Sequence, residues 1–184
     1  ARADFAAVNQ AFAERVVEAA GAREGEAGDD GVPGGAGGAA RDGSIDRARV
    51  LDLGCGPGDI AIRLARLRPT WRIVAADAAR AMLDLARKAV DAAGLSRRVE
   101  LALVDAKATG FAAASFDVIA SNSLLHHVAD PLALWREIRR VARPGATVVL
   151  RDLLRPASDD AARALVTQHA GGESALLQEE FHRS

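Results

Sequence analysis

From residue 49 onward, the apolar and polar positions of the chain follow a pattern that predicts strands and helices in succession. Short apolar runs predict five strands, over 49–54, 71–77, 98–105, 116–122 and 146–152. Segments with apolar residues at helical spacing predict helices over 59–67, 79–94 and 130–145. Strands that alternate with helices pair in parallel through right-handed crossovers. The strands are nearly all apolar, so both faces of the sheet are expected to be covered. The predicted fold class is α/β, with a doubly wound, mostly parallel, Rossmann-like sheet.

The helical stripes also predict which side chains face inward. In the segment 79–94, which Gly94 is expected to end, the inward residues are Met82, Leu85, Ala86 and Ala89. The segment 130–145 is predicted to start at an Asp130 cap followed by Pro131, and to bury Leu134, Ile138 and Val141. A helix over 4–20 near the start of the chain carries the stripe Phe5, Val8, Phe12 and Val16.

The pattern divides the chain into four parts. Residues 1–22 form an N-terminal helix, and 23–44 contain eight glycines and almost no large apolar residue, so they are expected to be a flexible insertion. The strands and helices of 45–155 form the main domain, and 156–184 are helix-like without a further strand. A strand edge at 146–152 would be an association hazard unless the terminal helices or a missing part of the chain covers it.

Composition narrows the possible functions. With a net charge of −1, the chain has no overall positive potential that would attract nucleic acid or an anionic membrane surface. A single cysteine fits a reducing compartment, and no apolar run is long enough to span a membrane, so the expected location is the cytoplasm. Only two of 24 basic residues are lysine, and this arginine bias suggests a GC-rich bacterial genome.

The stretch LDLGCGPG (51–58) places three glycines directly after the first predicted strand, so the backbone there can be approached closely. In a sheet of this kind, ligands bind at the carboxyl ends of the strands. The frame Gly56-x-Gly58-x-x-Ala61 fits a loose dinucleotide pattern. However, Asp52 is a poor neighbour for a pyrophosphate and a good one for an ammonium group, and no Arg or Lys lies between Asp52 and Ile62.

Two more acids follow predicted strands. Asp77 closes the second strand, where a carboxylate can accept hydrogen bonds from both ribose hydroxyls; the alternative is an ordinary helix cap. Asp105 closes the third, where it would accept from the amine of an adenine or serve a cap or turn. Together with the glycine turn, these acids predict a nucleoside-binding edge.

These motifs resemble class I S-adenosylmethionine-dependent methyltransferases. LDLGCGPG, VAAD and LVDA match the family's motifs in order, and FDVIASNSLLHHVADP resembles small-molecule methyltransferases of the ubiquinone-biosynthesis type. The match covers about residues 48–155. The resemblance implies S-adenosylmethionine as cofactor, with S-adenosylhomocysteine as product. No metal is expected, because no cluster of carboxylates and an amide stands out in the sequence. The cofactor-binding residues that the resemblance implies are Asp52, Gly54, Cys55, Gly56, Gly58, Asp77, Ala78, Met82, Asp105, Ala106 and Asn122.

Catalytic candidates follow the fourth strand. If the acceptor is a hydroxyl or an acid, His126 or His127 is positioned to act as general base, with His127 favoured; the alternative is that both pack the turn before Asp130. Arg151 and Asp152 end the fifth strand and either line the acceptor pocket or form surface salt bridges.

The expected acceptor is a small metabolite. The loop SNSLLHH lacks the Asn-Pro-Pro-aromatic pattern of base methylation, and the chain has no tyrosine. Two other functions stay open: a cofactor-binding regulatory or partner module without transfer, and a nicotinamide (NAD)-dependent oxidoreductase. No oligomeric state is predicted.

Overall fold

The computed structural model describes residues 2–22, 45–153, 158–161 and 163–164. The predictions for 23–44 and for most of 156–184 lie outside these residues. The helices are α1 (Arg2–Gly21), α2 (Asp59–Leu67), α3 (Arg80–Ala92) and α4 (Pro131–Val141). The strands are β1 (Arg49–Leu53), β2 (Arg72–Asp77), β3 (Val99–Leu103), β4 (Phe116–Asn122) and β5 (Ala142–Arg151).

The five strands form one parallel sheet in the order β3-β2-β1-β4-β5. The order reverses at β1, so the carboxyl ends of β1 and β4 border the crevice in which such sheets bind ligands. This arrangement confirms the predicted α/β class. Among the described strands, β5 lies at one edge of the sheet.

Alternate side chains of each inner strand belong to two cores. Val50 and Ile73 pack with α1, α2 and α3, while Leu51 and Val74 pack with α4 on the other face. This period of two is what a strand covered on both faces requires. Among the described residues, no helix is both long and apolar enough to cross a bilayer.

Two predictions of the buried helix faces are wrong. In α3 the buried residues are Leu83, Ala86 and Val90, while Met82 and Leu85 are exposed. Because apolar residues are adjacent in this helix, two apolar faces one residue apart are both compatible with helical spacing. Packing against the sheet buries the face that is shifted by one residue towards the C-terminus. In α1, Phe12 and Val16 are buried, but Phe5 and Val8 are exposed.

The ends of the helices and strands agree with the prediction at two places and differ from it at two others. Gly94 ends α3 with a positive φ, and Asp130 caps α4 by accepting from the Ala133 N–H at 3.1 Å, both as predicted. Helix α4 ends at Val141 rather than at 145, because β5 begins at Ala142 and pairs with Phe116 there. Strand β3 ends at Leu103, which leaves Asp105 in the turn that follows it.

Candidate active site

The glycine loop after β1 contains three residues with positive φ, and they serve different purposes. A Cβ on Gly54 would lie 3.0 Å from Leu124, and one on Gly58 would lie 3.2 Å from the Cβ of Ala86, so neighbours pack against these two glycines. A Cβ on Gly56 would meet nothing within 4 Å. Gly56 is therefore the position at which the loop backbone faces open space.

Asp52 lies beneath this loop and is 1% exposed. Its Oδ2 has no hydrogen-bond partner within the part of the chain that the structure describes. Burial raises the pKa of Asp52 to about 7; the backbone N–H of Ala61 opposes the shift, and the nearby carboxylates of Asp77 and Asp59 add to it. A buried acid with a free oxygen beside an open loop is a ready partner for a cation.

Asp77 connects the glycine loop to α3. Its Oδ2 accepts from the Gly56 N–H at 2.8 Å, and its Oδ1 accepts from the Ala79 N–H at 2.8 Å. Each carboxylate oxygen can accept a second hydrogen bond. Asp77 is not the helix cap that was the alternative, since Ala79 is the N-cap of α3, and its carboxylate retains the acceptor capacity that a ribose needs.

Cys55 is buried within the loop, and its Sγ lies 3.6 Å from the Gly56 carbonyl oxygen. Burial, with further repulsion from Asp52 and Asp77, raises the pKa of the Cys55 thiol. A thiol held neutral in this way is a poor nucleophile, which is consistent with a packing role in the loop.

The other residues assigned to the nucleoside lie after β2 and β3. Ala78 is exposed beside Asp77, Met82 is exposed in the first turn of α3, and Ala106 packs partly against the core on the α4 side. Asp105 is exposed; its Oδ1 accepts from both the backbone N–H and the Nζ of Lys107, and these bonds lower the pKa of Asp105. Its observed contacts are those of a turn residue.

Asn122 at the end of β4 belongs to a network that the sequence did not predict. Its Oδ1 accepts from Arg151 Nε at 2.8 Å, and its Nδ2 donates to Asn9 Oδ1 at 3.4 Å. Asn9 also donates to Asp59 at 3.0 Å and accepts from Arg151 at 3.2 Å. Helix α1 therefore lies across the carboxyl ends of β4 and β5.

His126 follows β4 in a short 3₁₀ helix and pairs with the acid that follows β5. Its Nδ1 lies 2.6 Å from Asp152 Oδ1, and Asp152 also accepts from the backbone N–H groups of Leu125 and Leu153. Partial burial opposes these bonds, but with them the pKa of Asp152 is lowered, so Asp152 is a carboxylate at neutral pH. A carboxylate accepts hydrogen bonds only, which assigns the proton of the His126 ring to Nδ1.

The ring of His127 packs against that of His126 at a tilt, with ring centroids 3.9 Å apart and ring planes 45° apart. The carboxylate partner thus belongs to His126 rather than to His127, the histidine that the sequence favoured. Arg151 and Asp152 were predicted to end the fifth strand. Asp152 contacts His126, and Arg151 donates a hydrogen bond to helix α1. In the described ranges, no three His, Cys, Asp or Glu side chains are grouped in a way that could hold a metal ion.

The donor set around the loop fits an S-adenosylmethionine-like cofactor. The open side of Gly56 admits a ligand, and the unpartnered oxygen of Asp52 suits an ammonium group. The acids Asp77 and Asp59 both act electrostatically on Asp52 beside the loop, and an anionic pyrophosphate placed there would meet the same repulsion.

Comparison with known proteins agrees with this site. A family model described as a methyltransferase domain matches residues 50–145, more than half of the chain. The methyltransferase GfsG of Streptomyces halstedii is 38% identical over 119 residues, which are 64% of this chain and 42% of that protein. The ubiquinone biosynthesis O-methyltransferase of Dinoroseobacter shibae is 36% identical over 107 residues, 58% of this chain and 42% of that protein.

The fold has a similar counterpart among solved structures. The [4+2]-cyclase SpnF superposes with a TM-score of 0.57 at 30% identity, covering 60% of this chain and 41% of SpnF. The chain thus spans less than half the length of each of these three proteins. With the glycine loop, Asp77 and the sheet order in the matched region, the chain belongs to the class I S-adenosylmethionine-dependent methyltransferase family.

Proposed function

We propose that the chain transfers the methyl group of S-adenosylmethionine to a hydroxyl of a small molecule, and that His126 is the general base. The observation that carries this proposal is the 2.6 Å contact between His126 and Asp152 at the carboxyl edge of the sheet. A histidine held by a carboxylate is the arrangement that accepts a proton during a reaction. The matched relatives include an O-methyltransferase, so a hydroxyl acceptor is among the acceptors that relatives of this chain are named for.

The cofactor is held by the residues around the glycine loop. When bound, S-adenosylmethionine supplies a methyl group on a sulfonium that needs no further activation. Asp52 faces the ammonium group, the backbone of 54–58 surrounds the methionine portion, and Asp77 accepts from the ribose. Ala78, Met82, Asp105 and Ala106 line the adenine side, and Asn122 borders the methionine moiety.

The protein's own chemical step is a proton transfer at His126. Asp152 accepts from the Nδ1–H of His126, which leaves the Nε2 lone pair free to take the proton of the acceptor hydroxyl. Asp152 then stabilises the imidazolium that forms. His127 contacts the ring of His126 and so helps to orient it.

The test is methyl transfer from tritium-labelled S-adenosylmethionine to a panel of phenols and alcohols. We expect His126→Gln and Asp152→Asn each to lower kcat by about 100-fold or more, while the affinity for S-adenosylhomocysteine stays within about twofold. His127→Gln should lower kcat less than His126→Gln does. Equal losses for both histidines, or full activity of Asp152→Asn, would rule out the dyad.

A second candidate is a cofactor-binding partner module without transfer. The similar fold of SpnF, which is named as a cyclase, shows that this architecture also carries other functions. The matched region covers less than half of the methyltransferase GfsG and of the ubiquinone biosynthesis O-methyltransferase, so the activity of those whole proteins does not by itself decide between the two candidates. Binding of S-adenosylhomocysteine together with no transfer to any acceptor would favour the module. In either case we place the chain in the cytoplasm with its thiol reduced.

A further inference from the structure

Three polar side chains near the carboxyl ends of neighbouring strands lie on one face of the sheet: Asp52 of β1, Asn122 of β4 and Arg151 of β5. Successive side chains of a strand point to opposite faces. Val50 and Ala120 both belong to the core that α1 and α2 cover, so the residues two positions further along each strand face the same side. Val149 packs against this core as well, which places Arg151 on that side.

The register between β1 and β4 sets the distance between the acid and the amide. Asp52 pairs with Ala120, and Asn122 lies two residues beyond it. A strand spacing of about 5 Å and a rise of about 3.3 Å per residue put the Cα atoms of Asp52 and Asn122 about 8 Å apart. An amino acid whose ammonium group meets Asp52 can therefore reach the Asn122 side chain with its carboxylate.

The hydrogen bonds of Asn122 define which end of its amide is available. A guanidinium only donates, so the Asn122 atom that lies 2.8 Å from Arg151 Nε is the Oδ1. The other end, Nδ2, has two N–H groups. One of them donates to Asn9 Oδ1 at 3.4 Å, and within the described part of the chain the second has no acceptor. What Asn122 can still offer from this end is an N–H donor.

Asn9 of helix α1 fixes this orientation of the amide. Its Nδ2 donates to the carboxylate of Asp59 at 3.0 Å, and its Oδ1 accepts from Arg151 at 3.2 Å. Because a carboxylate only accepts and a guanidinium only donates, the Asn9 amide cannot be reversed without breaking both bonds. Its Oδ1 is therefore held towards the Nδ2 of Asn122.

The charges around the Asn122 amide suit an anion. Arg151 brings its positive charge to Asn122 Oδ1, and a charged donor of this kind polarises the amide so that its N–H groups donate more strongly. The nearby acid Asp59 is paired with Arg63 at 2.9 Å. Asp52, by contrast, suits a cation, so the two ends of a zwitterionic amino acid each have a complementary partner on this face.

We propose that Asn122 donates a hydrogen bond to the carboxylate of the cofactor's methionine portion, and that Asn9 is the positioning residue that holds the Asn122 amide for it. The proposal rests on the proposed function for the identity of the cofactor and for the place of its ammonium group at Asp52. It adds which group of the cofactor is recognised at the end of β4, and it gives helix α1 a part in that recognition.

Two ligands that differ only in the carboxylate test this assignment: S-adenosylhomocysteine and its decarboxylated form, 5′-deoxy-5′-(3-aminopropylthio)adenosine. Binding of each ligand to the full chain is measured by calorimetry. We expect Asn122→Ala to weaken the binding of S-adenosylhomocysteine by about 10- to 100-fold, and Asn9→Ala by about 3- to 10-fold. Both variants should bind the decarboxylated form within about twofold of the wild type. Normal binding of that form also shows that a variant is folded.

A second substitution separates the lost donor from a general loss of packing. Asn122→Asp keeps an acceptor for Arg151, but it removes the N–H groups and adds a negative charge. It should weaken the binding of S-adenosylhomocysteine more than Asn122→Ala does, without weakening that of the decarboxylated form. Because Asn9 acts through Asn122, the double variant Asn9→Ala/Asn122→Ala should bind S-adenosylhomocysteine no more weakly than Asn122→Ala alone.

Gln10→Ala is the matched control. Gln10 follows Asn9 on α1 and accepts from Arg63 of α2 at 2.7 Å, but among the described residues it makes no hydrogen bond to Asn122. It should bind both ligands like the wild type. If Gln10→Ala loses as much affinity for S-adenosylhomocysteine as Asn9→Ala does, the loss reflects the packing of α1 and the proposal is wrong. Equal losses for both ligands in Asn122→Ala, or additive losses in the double variant, contradict it as well.

Binding and methyl transfer separate this proposal from the proposed function. If the variants behave as expected but no acceptor is methylated, the carboxylate assignment stands and the transferase does not. If methyl transfer occurs but the variants lose affinity for both ligands equally, the transferase stands and the assignment is wrong. If neither ligand binds to the wild type, both are wrong.

Discussion

The carboxylate of Asp77 accepts a hydrogen bond at 2.8 Å from the backbone N–H of Gly56, 21 residues earlier in the chain. The residue proposed to hold the ribose thus also fixes the shape of the loop that surrounds the methionine portion. Its second oxygen holds the start of α3 through Ala79. Loop shape and nucleoside recognition therefore depend on the same side chain.

Asp77→Ala should weaken the binding of S-adenosylhomocysteine by roughly 1–3 kcal/mol, because it removes a charged acceptor and loosens the loop. Calorimetry at a temperature where circular dichroism shows the variant folded is the measurement. Asp84→Ala, which removes an exposed acid of α3, is the control and should bind like the wild type. An unchanged affinity in Asp77→Ala would refute the ribose assignment.

The glycine loop and its acids could be predicted from the sequence because they are local. Three glycines follow one apolar run, and an acid stands at the end of the next run, 19 residues after Gly58, so both features are visible within a single strand–helix–strand unit. The His126–Asp152 pair could not be predicted in this way. It depends on the register of β4 and β5, which places Asn122 opposite Arg151 and so brings together the residues that follow each strand.

The packing position of α1 could not be predicted from the sequence, for a different reason. Residues 23–44 separate this helix from β1, and no local pattern shows where it packs. Its contacts run through Asn9 and Arg151, more than 140 residues apart. The error in α3 has a simpler origin, since Met82 and Leu83 are adjacent and only packing against the sheet distinguishes them.

Asp52 should make the stability of the ligand-free protein fall as the pH rises. The folded state keeps the Asp52 proton up to about pH 7, whereas an unfolded aspartate releases it near pH 4. The folded state therefore binds more protons between these values, and the free energy of unfolding decreases across this window by a few kcal/mol. Urea denaturation of the wild type and of Asp52→Asn from pH 4.5 to 8 measures the effect.

The effect is read from the difference in the free energy of unfolding between the wild type and Asp52→Asn, because the other groups titrate equally in both proteins. Relative to the wild type, Asp52→Asn should gain stability progressively as the pH rises towards 8. Asp84→Asn again serves as control and should run parallel to the wild type. If Asp52→Asn also runs parallel, the buried carboxyl is not protonated in the folded state.

Gly56→Ala should separate cofactor binding from stability. Gly56 and Gly110 both have positive φ (51° and 74°), and a Cβ at either position would meet nothing within 4 Å. An alanine at either site thus costs about 1 kcal/mol of backbone strain. Only the methyl group at position 56 enters the space assigned to the cofactor.

We therefore expect Gly56→Ala and Gly110→Ala to lose similar free energies of unfolding in urea. Calorimetry with S-adenosylhomocysteine should show about a tenfold or larger loss of affinity for Gly56→Ala alone. Equal affinities in the two variants would mean that the cofactor does not approach the loop at Gly56.

Arg151 should control the attachment of the first half of α1. It donates to the Val8 carbonyl, to Asn9 and to Asn122, and it lies over the Phe12 ring. Arg151→Gln removes most of these contacts, each of which contributes about 1 kcal/mol. Amide exchange of residues 5–12 should then accelerate by about 10- to 100-fold, while exchange in α4 is unchanged. Arg15→Gln removes only an exposed pair with Glu18 on the same helix and should leave both rates unaltered; equal protection of α1 in the two variants would show that Arg151 does not hold it.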